Sequence, residues 1–283
     1  MPVYNGERFL APAIESILGQ THQDLELVIS DNASTDATVD ICSRYAKSDP
    51  RIRLCRQVKN IGVTKNYNYV FRASRARYFK WASANDYCAP SLIGACKSVL
   101  DKKPEVVACY PRTNYIDDGG TVFQEADASL VITNPNPRSR FLLLLERMVL
   151  NNFFGGLFRS KALRQTRLEG TYLGSDLVLI AELALHGSFH EIPECLHSRR
   201  MSPGTATACR SHDEVCELYF PGKKATTGWQ QLRRTLGYFG AVRRSPLSLA
   251  EKTRLSGYLL KRMYWWKRVH WTDFLRGARE YVS

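Results

Sequence analysis

Hydrophobic residues along the first 110 positions alternate between two spacings. Over residues 8–20 a helical period places Leu10, Ile14 and Ile17 on one stripe. Residues 25–30 instead form a nearly continuous apolar run, as a buried strand does. The same alternation predicts helices over residues 34–46, 65–73 and 90–100, and strands over residues 51–56, 78–82 and 106–111.

Strands that alternate with helices are typical of an α/β domain with a mostly parallel sheet covered on both faces. In such sheets, ligands bind at the carboxyl ends of the strands, where loops and helix N-termini converge. We therefore expect a binding site among the loops at residues 3–7, 31–36 and 83–87.

The second half of the chain is less regular. Residues 119–138 are polar, as in an insertion or a mobile loop over a site. A helix over 140–149, a strand over 152–158 and a helix over 176–185 follow, and beyond residue 221 only helices are predicted. The expected organisation is a domain over residues 1–220, with two halves (1–110 and 111–220), and a basic helical region over 221–283.

The net charge of +13 is concentrated in that last region. Residues 221–283 contain 14 Lys and Arg against three acids, which leaves the other 220 residues with a net charge of +2. Leu255, Leu259, Met263, Trp266 and His270 recur at helical spacing. This stripe, with its flanking cations and aromatics, either attaches to an anionic membrane surface or packs on the α/β body. No nucleic-acid-binding motif is present, so no nucleic acid is expected as a partner.

Two further features bear on the compartment. No uncharged apolar run approaches the roughly 18–20 residues of a spanning helix, and no signal-peptide pattern opens the chain. The eight cysteines are dispersed without zinc-ligand spacing, which favours reduced thiols. A cytoplasmic protein is expected, with attachment to the inner face of the membrane as an alternative.

Several motifs stand in a fixed order along residues 1–204. They are PVYNGE at 2–7, LGQT at 18–21, ELVISDNASTD at 26–36, NIG at 60–62, NYN at 66–68, WASAND at 81–86, GSD at 174–176, IPE at 192–194 and RR at 199–200. This ordered set resembles family 2 glycosyltransferases. The resemblance implies a GT-A fold, a Rossmann-like sheet flanked by helices, and an inverting enzyme that uses a nucleotide-diphosphate sugar. Residues 1–110 would then be the nucleotide-sugar-binding half and residues 111–220 the acceptor half. Family members carry several strand residues before the position of Pro2, so an upstream segment is expected.

The resemblance also implies roles for individual residues. Tyr4 would stack on the base, and Asp31 would accept a hydrogen bond from the imide of a uracil or thymine. Asp176 would be the general base, placed at a helix start whose dipole keeps a carboxylate ionised; without the resemblance, it is an ordinary first-turn residue. The nucleotide-binding residues implied are Val3, Tyr4, Asn5, Glu7, Asp31, Lys65, Asn68, Asn85, Arg199 and Arg200.

The acidic motif by which the family binds a divalent cation, Mn²⁺ or Mg²⁺, falls on residues 83–86. Only Asp86 keeps a carboxylate there, since Asn85 offers an uncharged oxygen, and Met201 stands where many relatives have a His. Metal affinity is therefore expected to be weak. Arg199, Arg200 and Lys65 are the cations that could neutralise phosphate instead.

The leading hypothesis is transfer of a sugar from a UDP- or dTDP-sugar to a hydroxyl of a glycan or lipid-linked acceptor, in polysaccharide or glycoconjugate biosynthesis. Residues 151–156 would either line the reaction centre or form a core strand. A degenerate relative that binds nucleotide or glycan without turnover is the first alternative, because of Asn85 and Met201. A basic membrane adaptor is the second, on the evidence of the tail alone.

Overall fold

The computed structural model describes residues 1–125, 130–201, 219–221, 229–267, 269 and 271–272. Two sheets, both flanked by helices, account for most of these residues. The expected α/β class is confirmed.

The first sheet is parallel, with the order β1-β2-β3. It comprises the strands Pro2–Val3 (β1), Leu27–Asp31 (β2) and Ile52–Arg56 (β3), with the helices Glu7–Leu18 (α1), Thr38–Ser48 (α2) and Val63–Ala73 (α3). Val3 pairs with Asp31 and Asp31 with Arg56, so all three strands end at one edge. The Met1 amine nitrogen donates to the Val28 carbonyl at 2.6 Å and continues the pairing backwards.

The second sheet has the order β4-β8-β6-β9-β5, with β7 on β6. Its strands are Tyr78–Phe79 (β4), Tyr87–Cys88 (β5), Val106–Ile116 (β6), Val122–Glu125 (β7), Leu157–Arg159 (β8) and Ser188–Arg200 (β9). The helices of this half are Leu92–Lys102 (α4), Pro137–Arg147 (α5), Ser160–Leu163 (α6) and Ser175–Ala184 (α7).

The parallel arrangement does not extend through the whole second sheet. β6 and β9 run parallel, whereas the other strand pairs described in this sheet are antiparallel. Apolar runs do not encode strand direction, which the connections set. The register of β6 on β9 shifts on both sides of Arg112. Pro111 precedes that residue and has no N–H to donate to the ladder, which accounts for a bulge at this point.

Three local predictions are corrected. The strand predicted over 78–82 ends at Phe79. The strand predicted over 152–158 is a 3₁₀ turn at Phe153–Gly155, followed by β8, which begins at Leu157. The segment predicted to be irregular contains β7, whose four residues are all exposed and include only two apolar side chains, Val122 and Phe123. Phe153 and Phe154 contribute to the apolar run that predicts a strand, although the backbone at these residues is turned.

An aromatic cluster joins the two halves beneath the site. Trp81 stacks on Phe154 with ring centroids 4.5 Å apart and meets Phe79 and Phe158 edge to face. The Trp81 indole N–H donates to the Tyr67 carbonyl at 3.1 Å. Such pairs favour fixed ring orientations, so the cluster holds Tyr67 and Phe154 at the surface that becomes the site.

The C-terminal helices Gln230–Arg244 (α8) and Leu249–Trp265 (α9) pack on the α/β body, and share its main core. Leu255 and Leu259 of the predicted stripe are buried. Glu182 of α7, which is 1% exposed as a side chain, receives two hydrogen bonds from Arg244 at 2.7 and 3.0 Å. Packing on the body is therefore confirmed for this part of the stripe, and the boundary near residue 221 stays a prediction.

The end of α9 differs from its beginning. Tyr264, Trp265, Trp266 and Trp271 are between 52% and 66% exposed, and His270 lies outside the described residues. Among the residues described, no helix is both long and apolar enough to cross a membrane. The exposed aromatics leave membrane attachment of this end as a prediction.

We predict that Arg244→Ala lowers the free energy of unfolding by about 3 kcal/mol, because the buried Glu182 carboxylate loses its charged partner. The melting temperature should fall by roughly 6 to 12 °C in a thermal melt. Arg243→Ala, the matched control, removes an exposed neighbouring side chain and should change it little. Equal melting temperatures of the two variants would show that the ion pair between Arg244 and Glu182 does not stabilise the packing of α8.

Candidate active site

The loops that follow β1 and β2 are joined by hydrogen bonds at the carboxyl edge of the sheet. The Asn5 N–H donates to Ser34 Oγ, and the Asn5 side-chain oxygen accepts from the Thr35 N–H, each at 2.9 Å. The Gly6 N–H donates to Thr38 Oγ1 at 2.9 Å. Asn5 has a φ of 46°, a conformation that Asn tolerates better than most residues. These contacts fix the residues on either side of Asn5.

Three asparagines form the adjoining wall. Asn32 Nδ2 donates to Asn60 Oδ1 at 2.8 Å, and its own oxygen accepts from the Ile61 N–H at 2.9 Å. Asn66 accepts from Ser30 Oγ at 2.6 Å and donates to the Ser30 carbonyl at 3.0 Å. Because these polar atoms are paired with one another, with Ser30 and with the Ile61 backbone, the asparagines form an ordered polar surface.

This edge opens into a cleft of about 310 Å³ between the two halves. Its wall contains eight of the site residues predicted from the sequence: Val3, Tyr4, Asn5, Asn85, Asp86, Asp176, Arg199 and Arg200. Tyr4 is 41% exposed and lines the cleft, so its side chain is accessible to a ligand there. Asn151, Asn152, Phe154 and Gly155 also line the cleft, in agreement with one of the two alternatives for residues 151–156.

Two predicted nucleotide-binding residues, Asp31 and Glu7, are not among the residues that line the cleft. Asp31 is 1% exposed, and its carboxylate accepts from the Ser34 N–H at 3.2 Å, as in a turn. The Glu7 carboxylate accepts from the Ala37 N–H at 2.8 Å, just before α2. In this structure both carboxylates order the loops, and their contact with a nucleotide stays a prediction.

Lys65 and Asn68, on α3, are likewise not among the cleft-lining residues. Lys65 is exposed. Asn68 is 6% exposed, and its amide bonds the backbone of Glu169, donating to the carbonyl at 2.8 Å and accepting from the N–H at 3.1 Å. Asn68 therefore holds a loop of the other half against α3.

Asp86 and the guanidinium of Arg200 fix one end of the cleft. Asp86 Oδ1 accepts from the Arg200 N–H at 3.0 Å. The guanidinium of Arg200 donates to the carbonyls of Asn85 and Asp117 and to the Tyr87 hydroxyl. With its side chain 1% exposed among these partners, Arg200 orients the loop of Asn85 and Asp86.

His197 was not anticipated by the sequence analysis and lies beside Asp86. Its Nε2 is 3.6 Å from Asp86 Oδ2. Burial, together with the charges of Lys80 and Arg199, holds the pKa of His197 well below its usual range. Burial raises the pKa of Asp86. A neutral imidazole follows at about pH 7, so the contact is not an ion pair.

Asp176 also lines the cleft and is the second residue of α7. Asn151 Nδ2 donates to Asp176 Oδ2 at 3.3 Å. Its helix-start position had been expected to lower the pKa of this carboxyl, and that expectation is wrong: burial raises the pKa and outweighs both the hydrogen bonds and the charge of Arg199. A raised pKa suits a group that must accept a proton.

Glu169, Tyr67 and Tyr219 line the cleft near Asp176 without having been singled out. Burial raises the pKa of all three side chains. Tyr219 reaches the cleft because it packs closely on Gly62, which has a φ of 83°. The Tyr219 carbonyl oxygen lies 2.8 Å from the point that a Cβ on residue 62 would occupy, so a side chain there would block this approach. The motif at 60–62 gave a signal for this turn, whereas no pattern in the sequence marks Glu169.

The sequence profile of glycosyl transferase family 2 matches residues 1–166, more than half of the chain. The chain belongs to glycosyl transferase family 2. It is 30% identical to chondroitin synthase of Escherichia coli over 122 residues, which are 43% of this chain and 18% of the synthase. The chain spans less than half the length of this relative.

Two solved structures resemble this family 2 chain along most of its length. TarS 1-349 of S. aureus in complex with UDP has a TM-score of 0.65 at 14% identity, covering 95% of this chain and 71% of that one. The mannosyltransferase PcManGT of Pyrobaculum calidifontis, with GDP-Man and Mn²⁺, has a TM-score of 0.52 at 14% identity, covering 99% and 84%. At this identity the likenesses establish the fold, and they confirm the expected GT-A type.

We predict that Asn68→Ala destabilises the protein by about 2 kcal/mol, because the part-buried Glu169 peptide loses two hydrogen-bond partners. A denaturant titration measures the change. Arg72→Ala, an exposed position on the same helix, is the control and should be nearly neutral. If both variants unfold at the same denaturant concentration, the Asn68 hydrogen bonds to Glu169 contribute nothing measurable to stability.

Proposed function

We propose that this family 2 member is an inverting glycosyltransferase that moves a sugar from a UDP- or dTDP-sugar to a hydroxyl of a glycan or lipid-linked acceptor. One observation carries the proposal: a single cleft is lined by an aromatic ring fit to stack on a base, Tyr4, and by a carboxyl with a raised pKa, Asp176. The complexes of TarS with UDP and with UDP-GlcNAc support a uridine nucleotide as the donor.

The phosphates would lie against cationic and polar groups of the second sheet. Arg199 lines the cleft, and its guanidinium is oriented by Asn152 Oδ1 at 2.7 Å and by the Asn151 carbonyl at 3.3 Å. A guanidinium fixed in this way binds phosphate oxygens with defined geometry. We assign it the neutralisation of the leaving diphosphate.

Among the described residues, those around Asp86 offer a poor ligand set for a divalent cation. Asp86 has one oxygen engaged by the Arg200 N–H, and its other oxygen faces His197. The part of the chain that the structure describes has no group of three His, Cys, Asp or Glu side chains able to hold a metal. A hard divalent cation prefers several oxygen ligands. The proposed mechanism therefore relies on Arg199 and routes no step through a metal.

The proposed reaction is a single displacement. The acceptor oxygen attacks the anomeric carbon and passes its proton to Asp176. The bond from that carbon to the phosphate oxygen breaks, and the electron pair leaves with the diphosphate. One bond forms on the face opposite the one that breaks, so the anomeric configuration inverts.

A lipid-linked acceptor is supported by the exposed end of α9. Lys267 lies 4.6 Å from the centre of the Tyr264 ring, and Arg262 lies 5.6 Å from that of Trp266. Cations beside exposed amphipathic rings suit an anionic membrane interface. Attachment there would bring the cleft near an acceptor carried by lipid.

We predict that Asp176→Asn reduces turnover at least about 100-fold, because the amide cannot accept the proton. Release of the nucleoside diphosphate, UDP or dTDP, from a panel of UDP- and dTDP-sugars measures turnover. UDP affinity, measured by calorimetry, should change little, since Asp176 is assigned to the acceptor. The control is Asp40→Asn, at an exposed position of α2. A wild-type protein that binds UDP without turning over any sugar would instead support a degenerate binding relative.

A further inference from the structure

Glu169 is a second carboxyl group at the acceptor end of the cleft. It lines the same wall as Asp176, and Ser175 Oγ, one residue before Asp176, donates to Glu169 Oε2 at 3.4 Å. The proposed single displacement uses one carboxylate. The second therefore has no part in the reaction as described so far.

The backbone at Glu169 is held in place from both sides. Asn68 bonds the N–H and the carbonyl of Glu169 across 101 residues of sequence. The preceding residue, Leu168, has a φ of 63° and is 9% exposed. A leucine in this region costs on the order of 1 kcal/mol and persists where surrounding contacts enforce it. The position of the Glu169 backbone is therefore imposed by the fold.

Two carboxylates in one poorly solvated wall repel each other, and such a pair favours one negative charge shared with one proton. The groups that face Glu169 are Asp176 from α7, Tyr67 from α3 and Tyr219. Arg199 from β9 acts on Asp176 and lowers its pKa. Burial, and then the charge of Asp176, hold the pKa of Glu169 well above its usual range. The proton thus belongs on Glu169 and the charge on Asp176.

We propose that Glu169 is a positioning residue of the acceptor site, which stays protonated beside ionised Asp176 and donates a hydrogen bond to an oxygen of the acceptor. The proposal rests on the proposed transferase function. During the displacement the acceptor proton goes to Asp176, while Glu169 neither gains nor loses one. Its neutral carboxyl keeps the total charge of the pair at one, which leaves Asp176 able to act as the base.

The protonation state can be tested by melting curves without any substrate. A carboxyl whose pKa is raised on folding contributes full stability below its unfolded pKa, and that stability is lost as pH rises through the folded pKa. Glu169→Gln, an isostere of the protonated form, removes this loss. At about pH 8 the variant should melt at least about 2 °C above the wild type, and at about pH 4 the two should coincide.

The control variant is Glu194→Gln, which changes an exposed carboxyl and should melt like the wild type at both pH values. A Glu169→Gln variant that melts below the wild type at about pH 8 would show an ionised Glu169 with a structural role. That result would overturn the proposal.

Hydrolysis of UDP-GlcNAc, with water as the acceptor, provides the second readout. Glu169→Gln should keep turnover within about 3-fold and lose less of it above about pH 8 than the wild type, whereas Glu169→Ala should lose about 10-fold. Equal losses in both variants would contradict a hydrogen-bond role. Calorimetry with UDP distinguishes failure of the transferase function from failure of the role proposed for Glu169. A wild-type protein that binds no UDP contradicts the transferase function. A wild-type protein that binds UDP, together with a Glu169→Gln variant that is destabilised at about pH 8, contradicts only the role of Glu169.

Discussion

The parallel pairing of β6 with β9 is the constraint on which the site depends. This register runs from Val106 opposite Ser188 to Ile116 opposite Arg200. It places the end of β9 beside the Asn85–Asp86 loop, and thereby brings His197, Arg199 and Arg200 to the carboxyl edge of the first sheet. Register shifts around Arg112 redirect the strands where they approach the cleft. A slip of one residue would turn Arg199 away from the cleft and His197 with it.

Desolvation is the second constraint on the site, because it shifts the pKa values of acids and bases in the cleft wall in opposite directions. It raises the pKa of Asp86, Glu169 and Asp176 and lowers that of His197. Each shift moves its group toward the neutral form. The cleft therefore carries less charge than its residue list suggests, and the guanidinium of Arg199 gains relative weight for an anionic ligand.

Sequence alone could predict the residues that follow strands, since strand ends of a parallel sheet meet at one edge. Tyr4 belongs to this group, whereas Asn85, Asp86 and Asp176 were found through their motifs. Contacts between distant segments could not be predicted. Glu169 enters the wall because Asn68 holds its backbone, and Tyr219 because Gly62 admits its carbonyl. The effect of burial on Asp176 likewise depends on neighbours from several elements, which a helix-start argument leaves out.

The central claim is that the cleft between the two halves binds a nucleotide diphosphate with its base at Tyr4. A crystal structure of the chain with UDP tests it most directly. We expect the uracil ring to stack on Tyr4. We expect the diphosphate oxygens to lie within hydrogen-bond distance of the Arg199 guanidinium, in the same cleft as Asp176. UDP bound at another surface, or with its base turned toward Asp176, would contradict the account.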